Sequence, residues 1–77
     1  MNPFIILTDL SDKRLLYINI NNIVLFEKRF LKDYKNRDSG SPYTYIVLEA
    51  GSQSTRDVIE SEEEIMSMIT SYYEATL

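Results

Sequence analysis

Seventy-seven residues with a formal net charge of −4, and neither cysteine nor histidine, set limits before any pattern is read. No disulfide can staple the fold, no thiolate can attack a substrate or hold a metal, and the commonest general base is missing. At this length one core barely offsets chain entropy, so a single small domain spanning 1–77 is expected, stabilised by assembly into a homo-oligomer.

Phe4-Ile5-Ile6-Leu7-Thr8 is β-rich and apolar on both faces, the pattern of an interior strand. Asp9 to Lys13 supplies turn residues, and Arg14 to Ile20 follows as a second strand with Leu16, Ile18 and Ile20 on one face. The two strands read as a hairpin. Asn21-Asn22 marks a corner, since asparagine tolerates left-handed dihedrals. Ile23 to Phe30 is a third strand, apolar at its start and charged toward its end.

Residues 31–42 differ in kind. Mixed charge gives way to Ser39-Gly40-Ser41-Pro42, so 29–43 reads as a long charged loop or a hairpin extension. Tyr43 to Glu49 is the fourth strand, with a turn at Ala50-Gly51-Ser52. Gln53 to Ile59 is a short polar fifth strand, suited to a sheet edge.

The last element has a legible start. Ser61 can cap a helix while Glu64 reaches back to it, and three carboxylates fall in the first turn. Ile65, Met68, Ile69 and Tyr72 recur at helical spacing, predicting an amphipathic helix over 62–74. The expected fold is therefore α+β: a curled antiparallel sheet of four or five strands with this C-terminal helix packed on one face.

Charge is uneven along the chain. Residues 1–48 carry a net +2 and residues 49–77 a net −6. Lys28, Arg29, Lys32, Lys35 and Arg37 form the one concentration of positive charge, with Tyr34 among them. They are candidate partner-binding residues, and with an aromatic to stack on a base they could also hold nucleic acid. Glu27, Asp33 and Asp38 are interleaved, however, which suits a mixed-charge solvated surface better than a phosphate track. Tyr73, off the helix stripe, joins the candidates because an aromatic with a polar tip suits an interface.

Chemistry has little to work with. Glu60, Glu62, Glu63 and Glu64 fan out around a helix by about 100° per residue and do not converge on one cation. Two glycines, Gly40 and Gly51, cannot make a phosphate-binding glycine loop. The expectation is a non-enzymatic protein with no cofactor and no metal. Apolar runs such as Phe4 to Leu7 are too short to span a bilayer, so no membrane insertion and a cytoplasmic location are expected.

Several phrases resemble a known family. Ile6-Leu7-Thr8-Asp9-Leu10, Asn19 followed by Ile23-Val24-Leu25-Phe26-Glu27, then Tyr45-Ile46-Val47-Leu48 with Gly51, and finally Val58-Ile59-Glu60-Ser61-Glu62-Glu63-Glu64-Ile65 are similar to the FlbD/SwrD-type small proteins of bacterial flagellar operons. Residues 29–43 lie outside the likeness; where the family has a tight turn, this chain carries the basic segment. The resemblance implies a small bacterial adaptor or structural protein acting by protein–protein interaction. The order of elements also resembles the C-terminal part of LytTR domains, which implies the alternative of a nucleic-acid-binding accessory or regulatory protein. Of that family's basic loop after the glycine turn, only Arg56 is present.

Overall fold

The computed structural model describes residues 3–32, 35, 38–49 and 54–75. Five strands come first: β1 (Phe4–Thr8), β2 (Leu15–Asn19), β3 (Ile23–Lys32), β4 (Asp38–Leu48) and β5 (Ser54–Val58). One helix, α1 (Glu62–Ala75), ends the described chain. The protein is α+β.

The strands expected in one curled sheet are divided between two. β1 and β2 form an antiparallel pair, and β3, β4 and β5 form an antiparallel meander in that order. Among the described residues one isolated bridge, Asp9 to Val58, links the chain just after β1 to β5, flanked by bonds from the Leu10 N–H to the Asp57 carbonyl (2.9 Å) and from the Ile59 N–H to the Thr8 carbonyl (3.0 Å). Pairing stops there because Asp9 turns the chain. Its carboxylate accepts from the Ser11 hydroxyl and from the Ser11 and Asp12 amides, folding 9–14 into a tight loop.

Lys13, in that loop, takes the left-handed conformation with φ of 63°. The corner at Asn21-Asn22 is built differently from the expectation. A 3-10 turn spans Ile20–Asn22, and the Asn19 side chain accepts from the Asn21 amide at 2.9 Å. The asparagines cap a turn without left-handed dihedrals.

The core is small. Ile5, Leu7, Ile18, Ile20, Ile46, Val58 and Ile65 are buried, with Leu16, Phe26, Leu48, Met68, Ile69 and Tyr72 packed around them. The helix stripe therefore does face the sheets, with Ile65 as its fully buried member. Fully burying an Ile or Leu side chain stabilises by about 1.5–3 kcal/mol, so each of these positions matters to a chain of this size.

The reading of β1 as an interior strand needs correction. Ile5 and Leu7 are buried, but Phe4 and Ile6 on the opposite face are half exposed. The single helix lies over the other side of the structure, and one helix cannot cover both faces of β1.

The strand–helix junction is held by polar bonds. Ser61 and Glu64 exchange the expected reciprocal pair, each at 3.1 Å. The buried Thr44 hydroxyl donates to the Glu60 carbonyl at 2.6 Å, pinning the chain just before the helix to the middle of β4.

Candidate interaction surface

The described residues of 29–43 belong to a hairpin extension. β3 runs on to Lys32 and β4 begins at Asp38, with pairing continuing through Arg29–Tyr43 and Phe30–Pro42 to Lys32–Asp38. β5 pairs with β4 only from Thr44 to Leu48, so the two strands project beyond the rest of the sheet as an arm. Pro42, with no N–H to donate, lies on the stretch that β5 does not reach. A register shift separates the last two pairings, and Gly40 falls within it at φ of +85°. The arm helps make the protein long, 48 × 27 × 21 Å.

Alternation along β3 splits the basic cluster. Lys28 and Phe30 point to one face, where the Lys28 ammonium lies 5.6 Å from the Phe30 ring centre. Arg29 points to the other face. Its guanidinium lies 3.6 Å from the Tyr45 ring centre and donates to the Glu27 carboxylate at 2.6 and 2.9 Å. The hydrogen bond to Glu27 raises the Arg29 pKa above its ordinary value, with the carboxylate charge adding to it. Phe30 and Leu31 are exposed toward the end of β3.

Lys32 ends β3 in register with Asp38, and Lys35 is exposed in the turn between the strands. Tyr34 and Arg37 lie outside the described residues. Tyr73 is about half exposed and meets Tyr72 edge-to-face, ring centres 5.4 Å apart. The arm-side groove holds Lys28 and Pro42 against Glu62 and Glu63 at the helix start. Tyr73 is eleven residues further along, about 16 Å down the axis. The described candidate residues thus do not converge on one site. Two of the cations, Lys28 and Arg29, occupy opposite faces of the arm.

Sequence reasoning missed a second surface. The pairings Ile6–Tyr17 and Thr8–Leu15 bring Phe4, Ile6, Leu15 and Tyr17 to the outer face of the β1–β2 pair, all exposed. The signal was present: Leu15 and Tyr17 alternate with the core residues Leu16 and Ile18, and β1 is apolar throughout. It was legible only with the knowledge that, among the described residues, no strand or helix packs over Phe4, Ile6, Leu15 and Tyr17.

Among the described residues no group of three or more acidic, histidine or cysteine side chains could hold a metal ion. Also among them, no helix is long and apolar enough to cross a membrane. Compared with protein-family models, with curated proteins and with solved structures, the chain matches none of them.

Proposed function

We propose that this protein is a small, non-enzymatic bacterial adaptor, cytoplasmic and acting by protein–protein contact, with the β3–β4 arm as its partner-binding element. The observation that supports this most is the arm itself. It carries Arg29 stacked on Tyr45 on one face, Phe30 exposed on the other, and Leu31 exposed next along β3. Arginine and tyrosine are among the residues that contribute most at protein interfaces, above all when held rigidly before the partner arrives. Stacking and the Glu27 ion pair hold the guanidinium in that way. The phrase-level likeness to FlbD/SwrD-type proteins agrees with this role.

Phosphate binding is the weaker fit. Arg29 already has a carboxylate partner, and Glu62 and Glu63 lie beside Lys28. An anionic polymer approaching that side meets both signs of charge.

The test is affinity capture with the wild-type chain and with an Arg29→Ala/Phe30→Ser/Leu31→Ser variant. The proposal expects a protein partner held by the first and lost by the second, with helical content unchanged. Equal capture by both removes the arm from the account. Retention of DNA or RNA that falls steeply with salt, and vanishes on reversing Lys28, Lys32 and Lys35 to glutamate, replaces the proposal with nucleic-acid binding.

A further inference from the structure

We propose that the outer face of the β1–β2 hairpin is where a second copy of this chain docks, face to face about a two-fold axis. The inference deepens the reading of the protein as a scaffold for protein contact and rests on it. Cross-strand partners point the same way, so Phe4, Ile6 and Thr8 share one surface with Leu15, Tyr17 and Asn19. Their neighbours Ile5, Leu7, Leu16 and Ile18 point into the core. Phe4 and Ile6 are 46% and 47% exposed, Leu15 and Tyr17 59% and 65%.

Three observations favour a second copy as the occupant. The first is area. Four large side chains about half exposed leave on the order of 400 Å² of apolar surface. A standard interface takes about 800 Å² from each partner, some 56–65% of it apolar, so this face supplies most of the roughly 450–520 Å² of apolar surface that one side needs.

The second is charge. Around a two-fold axis every residue meets itself or a reciprocal partner, so a charged face would oppose like with like. In a chain of net −4, all six positions on this face are uncharged, and the charges at its rim are of both signs, the Glu60 carboxylate bound to Thr8 and Arg56 beside Phe4 and Tyr17. The third is need. A two-stranded sheet with one bare face is marginal, and the core behind it is small. That deficit belongs to the chain itself, and a second copy is the cover present wherever the chain is made.

Sedimentation of the full chain between ~1 and ~500 µM is the test, a range that brackets weak and moderate self-association. The comparison set is wild type, Tyr17→Lys, Leu15→Lys and, as a control on the exposed side of the helix, Met66→Lys. Tyr17 and Leu15 are exposed enough for lysine to leave the fold intact, and circular dichroism checks this. The expected result is a wild-type dimer that Met66→Lys preserves and that both strand variants weaken at least about tenfold.

A wild-type chain that stays monomeric overturns the inference, as does a dimer that Tyr17→Lys and Leu15→Lys leave intact. A monomer that captures a partner through its arm sinks this interface and spares the adaptor reading. A dimer through this face that captures nothing does the reverse.

Discussion

The carboxylate of Glu60 accepts both hydrogens that Thr8 can offer, the backbone N–H and the side-chain hydroxyl, each at 2.8 Å. Fifty-two residues separate the two, so this clasp ties the end of the first strand to the segment entering the helix. It sits beside the Asp9–Val58 bridge between the sheets. Removing the acceptor strands a partly buried amide. Glu60→Ala is expected to cost about 1–3 kcal/mol, and Glu60→Gln, which keeps one oxygen, less. Urea denaturation of the three chains checks the order. Equal midpoints for Glu60→Ala and wild type would show that the clasp contributes nothing.

The reciprocal bonds of Ser61 and Glu64 hold the first turn of the helix that supplies Ile65 to the core. Ser61→Ala is expected to lower stability by about 0.5–2 kcal/mol, with Ser61→Asp close to wild type. For a domain of this size each kcal/mol moves Tm by about 4–8 °C. A thermal scan followed at 222 nm reads the change.

Among the described residues Gly40 and Lys13 occupy left-handed backbone, and they predict opposite tolerances. Gly40 has open space where a Cβ would stand, so Gly40→Ala carries a backbone cost alone, about 1 kcal/mol. Lys13 already bears such a cost at φ of 63°, offset in part by its ammonium donating to the Leu10 carbonyl at 2.7 Å. Lys13→Gly is expected to be neutral or stabilising, whereas Lys13→Val places a β-branched side chain where it fits worst. A Lys13→Val chain that matches wild type in thermal midpoint would show that left-handed backbone at this position carries no cost.

Asp9 predicts an acid transition. Hydrogen bonds from the Ser11 hydroxyl, then from the Asp12 and Ser11 amides, lower its pKa from the ordinary 3.8 to about 2. A depressed carboxylate contributes stability that is fully present above its unfolded value and disappears as pH falls through the folded one. The window is therefore from about pH 4 down to about pH 2. Carbon-detected NMR titration should place the Asp9 midpoint near 2 and move it up in Ser11→Ala, which then has less stability to lose in acid. A wild-type midpoint close to 3.8 removes the basis of this prediction.

Arg29 can be tested without any partner. A double-mutant cycle of Arg29→Gln with Tyr45→Leu is expected to give a favourable coupling for the exposed cation–ring contact. The matching cycle with Glu27→Gln should give a smaller value that added salt reduces further. No coupling in the first cycle would mean the guanidinium is not held over the ring, and the preorganised arm would lose its support.

Where local chemistry decides, reading the chain alone came close. The capping pair at Ser61 and Glu64, the stripe through Tyr72 and the first strand at Phe4–Thr8 need only neighbours in sequence, and all three are present. The arm was legible as one of two options. Turn-forming Ser39-Gly40-Ser41-Pro42 hid strand continuation because a glycine in left-handed backbone can sit inside a bulge as easily as in a loop. The Thr8–Glu60 clasp was not legible at all, since no local pattern points across fifty-two residues.

The amino-acid order by itself determined the elements: hydrophobic period, turn chemistry and capping are short-range effects. It also determined the chemistry the side chains can offer, because a residue type that is absent cannot act. Only the tertiary structure decided which apolar faces are covered and which cations lie together. One helix can bury a single side of the sheets, which leaves Phe4, Ile6, Leu15 and Tyr17 in the open. Strand alternation then sends Lys28 and Arg29 to opposite faces despite their adjacency in the chain.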